Sequence, residues 1–271
     1  MNLELWGSAL FAGLVAIGVT LAIEKFGGRT GGLIGTMPST IVPASIGFHL
    51  SSAPEAAREA LLAVPFGMAV NVLFLWSWSV LPSRTVGPLR LAKVLGGALG
   101  IWAVAAAGCT LMLGRLPFDL AGPAVVMTVL MILVGAWACR GAPPSPAGHR
   151  KVGLMSLLSR GWMAATAIAL AVWLSDQSPL LAGMASVFPA IFMTTMVSLW
   201  ISQGESVQAG AVGPMMLGST AVSVYALLAT LSLPHLGLLW GSVVAWKGSL
   251  IFATLPAWWW VQRHPAESPA G

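Results

Sequence analysis

Long apolar runs follow one another along the chain, separated by short polar breaks. The breaks consist of charged residues or of clusters of glycine, proline and serine. A bilayer core about 30 Å thick is crossed by roughly 20 apolar residues in a helix, so each run is long enough for one span. The pattern predicts nine spans, at residues 5–24, 31–50, 57–81, 91–113, 118–139, 155–175, 180–201, 206–231 and 236–261.

The composition agrees with that of an integral membrane protein. Hydrophobic residues make up 57% of the sequence and charged residues only 8%, whereas a soluble domain is typically about 25% charged. The net charge of +5 is spread singly or in pairs between the apolar runs, and it forms no basic stripe of the kind that binds nucleic acid. We therefore expect an all-α integral membrane protein whose main partner is the bilayer, with no nucleic-acid partner.

The positions of the basic residues predict the orientation of the spans. Cytoplasmic loops of membrane proteins carry an excess of lysine and arginine. With the N-terminus outside, ten of the 13 basic residues fall on the cytoplasmic side: Lys25, Arg29, Arg84, Arg90, Lys93, Arg140, Arg150, Lys151, Arg160 and Arg263. We expect a plasma membrane location, in a bacterium the inner membrane, with the N-terminus outside and the C-terminus in the cytoplasm.

Two short motifs recur at a nearly constant separation. Residues 40–44 (Thr-Ile-Val-Pro-Ala) resemble residues 186–190 (Ser-Val-Phe-Pro-Ala), 146 positions later, and the Ser-x-x-Glu motif at 52–55 recurs at 202–205. The offset covers five predicted spans. Because five is odd, the second copy enters the membrane from the opposite side, which predicts an inverted-topology repeat. Each Ser-x-x-Glu motif is interpreted as a capping box at a helix start.

The repeat divides the chain into a 4+1+4 arrangement of helices. Residues 1–113 form the first transmembrane repeat, 114–152 the connecting helix with a cytoplasmic linker, and 153–271 the second, inverted repeat. Inverted repeats are common in secondary transporters, whose solute sites lie near the midplane where discontinuous helices meet. The sequence resembles such proteins in plan only.

The second and seventh predicted spans contain the features that favour a binding site. Proline removes a helical hydrogen bond and clashes with the carbonyl four residues earlier, so Pro43 is expected to free the carbonyl of Ser39 and Pro189 that of Ala185. Freed carbonyls in lipid need other partners, such as a bound solute; a kink repaired by neighbouring hydroxyls is the alternative. The predicted substrate-binding residues are Thr36, Ser39, Thr40, Pro43, Asn71, Ser186, Pro189, Thr194, Thr220 and Lys247.

Lys247 is the one basic residue predicted to lie deep inside a span, since the others fall at span ends or in loops. It falls near the centre of the ninth span, and no acidic residue is predicted at that depth. A charge inside the membrane is costly and is a functional hypothesis by default. We interpret Lys247 as a ligand for an anionic group, with a structural role at helix-end carbonyls as the alternative.

These features predict a secondary transporter or uniporter for a small polar solute, anionic or zwitterionic, or for an ion. The alternatives are a non-catalytic membrane subunit or assembly factor and, less favoured, an intramembrane enzyme. Enzyme activity is not expected, because the predicted midplane lacks a cluster of His, Asp, Glu or Cys able to carry out chemistry. No metal site and no cofactor are predicted.

Overall fold

A computed structural model describes residues 3–26, 37–87, 89–116, 119–141, 154–203 and 205–263. These residues form helices joined by turns, without a β-strand. The helices are α1 (Leu3–Phe26), α2 (Ile41–Ser51), α3 (Pro54–Arg84), α4 (Arg90–Leu113), α5 (Ala121–Ala138), α6 (Leu154–Leu174), α7 (Pro179–Ser186), α8 (Ala190–Gln203), α9 (Glu205–Gly218), α10 (Thr220–Ser249) and α11 (Leu255–Arg263). A 3₁₀ turn (Cys139–Gly141) follows α5, and a π-helical turn (Leu250–Thr254) joins α10 to α11.

The protein is a helical membrane protein. Within the described residues, five helical stretches are long and apolar enough to cross a membrane. They lie at 54–84, 90–113, 121–138, 179–201 and 208–263. The expected all-α multi-pass architecture is confirmed at this level, while the number of spans and the repeat stay predictions.

The last of these stretches, residues 208–263, folds back on itself. Gly237 has φ 71° and ψ 175°, a backbone conformation that only glycine adopts readily. The Ser232 hydroxyl donates a hydrogen bond to the carbonyl of Gly241 at 2.9 Å, although residues nine apart lie about 13.5 Å apart in a straight helix. The chain therefore reverses at Gly237, and α10 consists of a first arm (220–236) and a second arm (238–249).

The seventh predicted span is broken in its middle. It consists of α7 and α8, separated by residues 187–189, which are not helical. The described part of the second predicted span has a related form, since a turn at residues 37–40 precedes α2. Its remaining positions, 31–36, lie outside the described residues, and they include the predicted site residue Thr36.

Both prolines sit where a helix begins, so the expected kinks are wrong in detail. Pro43 is the third residue of α2, where its missing N–H has no helical partner to lose. Pro189 directly precedes α8, and the carbonyl of Ala185 is not free, because it accepts the N–H of Phe188 at 3.1 Å. Instead of bending a continuous helix, the prolines start new ones.

The first predicted capping box is absent. The cap position of α3 is Ala53, which makes no side-chain capping hydrogen bond. The hydroxyl of Ser52 donates backwards instead, to the carbonyl of Phe48 at the end of α2 (2.7 Å). Proline at the first position of α3 explains this difference, because it removes one of the N–H groups that a cap would satisfy.

Helix α3 is the centre of the bundle. Most of its apolar stretch (83%) is buried, against 11% for α4 and 22% for α5. It packs against α2, α4, α5, α7, α9 and α10. Helices α4 and α5 therefore present most of their surface to lipid. Helix α3 is buried at the centre, where it packs against α2 and α7.

Ion pairs fix the two ends of the bundle. At one end the Arg58 guanidinium donates to both carboxylate oxygens of Asp119, at 2.9 and 2.8 Å, and this contact holds the pKa of Asp119 below its usual value. At the other end Arg90 pairs with Glu205 at 2.7 Å. Because Arg58 lies near the start of α3 and Arg90 follows its end, the two pairs mark opposite ends of the molecule.

Candidate functional site

A small cavity lies where the turn before α2 meets the break between α7 and α8. It has a volume of about 60 Å³, and since a water needs about 10–15 Å³ of such space, it holds several waters or one small solute. It is lined by Met37, Thr40, Ile41, Met68, Asn71, Ser186, Val187, Phe188, Ile191, Phe192 and Val222. The lining is mostly apolar with a few polar groups, as is usual for small-molecule sites.

The cavity lies near mid-depth of the bundle. The 11-residue helix α2 leads from the cavity to the end that carries Arg58, about 16 Å away at 1.5 Å per residue. The 14-residue helix α8 leads from the cavity to the end that carries Glu205, about 21 Å away. The cavity is therefore about midway between the two ends of the bundle.

Asn71 connects α3 to the break in the seventh span. The side chain is buried, with 1% of its surface exposed. Its amide nitrogen donates to the carbonyl oxygen of Val187 at 2.7 Å, and its amide oxygen accepts the indole N–H of Trp102 at 2.8 Å. Asn71 thus provides a hydrogen-bond donor to the Val187 carbonyl, which lies in the non-helical segment at the cavity wall.

Trp102 is a site residue that the sequence analysis missed. Besides donating to Asn71, its ring contacts Phe188 edge-on, with centroids 5.2 Å apart. A buried tryptophan N–H usually has a hydrogen-bond partner. A tryptophan in the middle of the fourth predicted span therefore indicated that a polar acceptor lies nearby. Its partner lies 31 residues away, however, and a single sequence contains no sign of that pairing.

A second hydrogen bond ties α2 to the first arm of α10. Tyr225 is the only tyrosine of the chain, it is fully buried, and its hydroxyl lies 2.7 Å from that of Ser45. The Ser45 hydroxyl also donates to the carbonyl of Val42 at 2.8 Å, so Tyr225 acts as the donor in the pair. Buried polar contacts therefore position α2 and the segment between α7 and α8.

The structure brings together three of the predicted site residues. Thr40, Asn71 and Ser186 line the cavity. Thr40 makes no side-chain capping hydrogen bond, so its hydroxyl is not engaged by the start of α2. The Ser186 hydroxyl donates to the carbonyl of Gly183 at 2.7 Å, and its lone pairs remain able to accept.

The other predicted residues that the structure describes do not line the cavity. Ser39 lies in the turn before α2, and Pro43 and Pro189 lie at the helix starts beside the cavity. Thr194 donates to the carbonyl of Ala190 within α8. Thr220 donates to the carbonyl of Leu217 across the α9–α10 junction. These two hydroxyls are engaged by backbone.

Lys247 is separated from this site. It lies on the second arm of α10 and is exposed, on the same face as the exposed apolar residues Trp240, Val244 and Ile251. It is absent from the cavity lining. The hypothesis that Lys247 contacts a solute together with Asn71 therefore does not agree with the geometry.

Helix ends provide the electrostatic character of the cavity. The N-termini of α2 and α8 and the C-terminus of α7 all meet at its wall. A helix N-terminus carries a partial positive charge and a C-terminus a partial negative one. The cavity can therefore offer N–H groups to an anionic group and carbonyls to a cationic one without any charged side chain in its lining.

No protein-family model, no curated protein and no solved structure matches this chain. The function is therefore inferred from the geometry of the chain itself.

Proposed function

We propose that this protein is a secondary transporter or uniporter that moves a small polar solute across the membrane. The observation that carries the proposal is the cavity at mid-depth between the start of α2 and the break that separates α7 from α8. Unwound helix segments in lipid occur where they are buried in protein or line a water-filled cavity. In transporters, half-helix ends of this kind bind the solute.

The proposal includes nine spans. The reversal at Gly237 turns the stretch 208–263 into two crossings. Helices α1 and α6, with 24 and 21 residues, are long enough to add two more crossings. The second predicted span, of which residues 37–51 are described, supplies the ninth.

Reciprocal contacts support the inverted repeat. A Cβ atom added to Gly13 in α1 would lie 3.1 Å from the carbonyl oxygen of Gly161 in α6, and one added to Gly161 would lie 3.3 Å from the carbonyl oxygen of Gly13. Such mutual contact of corresponding residues is typical of a two-fold axis. The two glycines are 148 positions apart, which agrees with the offset of the repeated motifs.

Two polar links between the halves join corresponding pairs of spans, although the linked residues themselves do not correspond. Asn71 of the third span contacts the break of the seventh span. Tyr225 of the eighth span contacts α2 of the second span. Each half of the chain thus contacts a segment beside the cavity in the other half, as expected for a site at the interface between two repeats.

The solute that this site fits is small and anionic or zwitterionic. The two helix N-termini attract a carboxylate or another anionic group, and the Thr40 hydroxyl adds a donor. The C-terminus of α7 suits an ammonium group. Lys247 no longer supports this proposal, since it does not face the cavity.

A thermal-shift screen with matched threonine variants tests the proposed site. Small inorganic anions, carboxylates and amino acids are added to the protein in detergent. A solute at 100 times its dissociation constant stabilises the folded state by about 2.7 kcal/mol, which raises Tm by roughly 5 °C or more. We expect Thr40→Val to lose this shift and Thr166→Val to keep it.

Thr166 is a suitable control because it is exposed on α6 and its hydroxyl bonds only to the carbonyl of Trp162. The stabilising solute should also accumulate in proteoliposomes that contain wild-type protein. A solute that stabilises both threonine variants equally would place binding outside the cavity. A solute that binds the cavity but never crosses the membrane would contradict transport.

The topology is tested by cysteine labelling of a version without Cys109 and Cys139. With nine spans and an external N-terminus, cysteines at Ala53 and Gln177 react with an impermeant reagent in intact cells. Cysteines at Val86 and Gln203 react only after permeabilisation. Positions 53 and 203 correspond in the repeat, so reaction of both on the same face would rule out the inverted arrangement.

A further inference from the structure

The second arm of α10 presents a basic residue in the middle of a lipid-facing surface. Trp240, Val244 and Ile251 are exposed by 65%, 48% and 56%, and Lys247 lies between them on the same exposed face. Lys247 is nine residues from Leu238, where the arm begins, or about 14 Å along the helix axis. This is close to half the thickness of a hydrocarbon core.

Lys247 has no counter-charge within the part of the chain that the structure describes. The ion pairs found there join Arg58 to Asp119 and Arg90 to Glu205. A lysine at the centre of a membrane helix costs about 2.5–3.5 kcal/mol on insertion scales. Such residues normally face a protein interior, pair with an opposite charge or contact backbone carbonyls. The surface around Lys247 therefore lacks the partner that its charge requires.

A second copy of this chain does not supply that partner. The acidic residues are Glu4, Glu24, Glu55, Glu59, Asp119, Asp176, Glu205 and Glu267. Those in described segments lie in loops or within about two turns of a helix end, and Glu267 lies outside the described residues. Two copies that meet symmetrically on this face would also bring two Lys247 ammonium groups together, and like charges repel.

We propose that the face formed by Trp240, Val244, Lys247 and Ile251 docks a transmembrane helix of another membrane protein, and that this helix carries a carboxylate at the depth of Lys247. The apolar neighbours provide the packing surface, and the ion pair fixes the register of the two helices. Interhelical polar contacts in lipid are modest in strength but specific in position. The inference does not depend on transport, because this face is separate from the cavity.

A designed peptide replaces the unidentified partner in the test. It is a 24-residue leucine–alanine transmembrane helix with one central aspartate and one cysteine a turn away. A matched peptide has leucine in place of the aspartate. The full-length protein, without Cys109 and Cys139, carries a single cysteine at Val244 or at Val129, which is equally exposed on α5 (49% against 48%). Cross-linking is measured in proteoliposomes.

We expect the aspartate peptide to cross-link at position 244 about tenfold more than at position 129, and Lys247→Met to abolish that preference. Lys247→Arg should retain it, and Lys247→Asp should transfer the preference to a peptide with a central lysine. Equal cross-linking of the aspartate and leucine peptides would overturn the proposal, because the carboxylate of the peptide would then contribute nothing to docking beside Lys247. Efficient cross-linking of position 244 between two copies of the protein would also overturn it, in favour of self-association.

Discussion

Gly183→Ala is expected to destabilise the folded protein strongly. Gly183 lies in α7 against α3, and a Cβ atom there would overlap the carbonyl oxygen of Ala60 and lie 2.7 Å from the Cβ of Ala63. Both groups belong to buried positions of α3 and cannot move aside as a flexible side chain would. Ordinary overpacking costs about 1–3 kcal/mol, and a clash with backbone exceeds that range. Separation of α7 from α3 would also open the cavity wall.

The same substitution at Gly96 is the control. Gly96 lies on the exposed face of α4, where an added Cβ atom would have no neighbour within 4 Å. Alanine is favoured over glycine inside a helix by up to about 1 kcal/mol, so Gly96→Ala should leave Tm unchanged or slightly raised. Gly183→Ala should lower Tm by about 10 °C or more and reduce the monodisperse yield. Equal behaviour of the two variants would show that α7 does not pack on α3 as described.

Asn71→Leu is expected to eliminate solute binding and to destabilise the protein. The substitution keeps a side chain of similar size but leaves the Val187 carbonyl and the Trp102 N–H without their partner. A buried polar group that loses its hydrogen bond costs about 1–3 kcal/mol. Two such groups therefore lower the free energy of unfolding by about 2–6 kcal/mol. The segment 187–189 would lose its anchor at the cavity wall.

Trp102→Phe separates the two hydrogen bonds. It removes only the indole donor, so the bond from Asn71 to Val187 and the ring contact with Phe188 can persist. We expect a smaller loss of Tm than in Asn71→Leu and retention of the solute-induced thermal shift. If Trp102→Phe abolishes the thermal shift while Asn71→Leu preserves it, Asn71 does not organise the site.

The sequence by itself determined the helical membrane architecture and the approximate bounds of the helices. The run at 57–81 lies within α3 (Pro54–Arg84), and the run at 91–113 differs from α4 by one residue. Length and hydropathy are local properties, and a backbone in lipid has to satisfy its hydrogen bonds within the helix. For the same reason the prolines indicated the break at 187–189 and the start of α2, although they did not indicate their form.

Only the tertiary structure decided which way each side chain faces. In a soluble helix the polar face points to water, but in a membrane helix the face toward lipid and the face toward protein are both apolar. The run of residues around Lys247 therefore gave no sign that this lysine points outward, away from Asn71. The partners of Asn71 were equally hidden, because Trp102 and Val187 lie 31 and 116 residues away. The rotation of each helix and the long-range hydrogen bonds depend on packing against neighbouring helices. The hydropathy of the sequence contains no information about this packing.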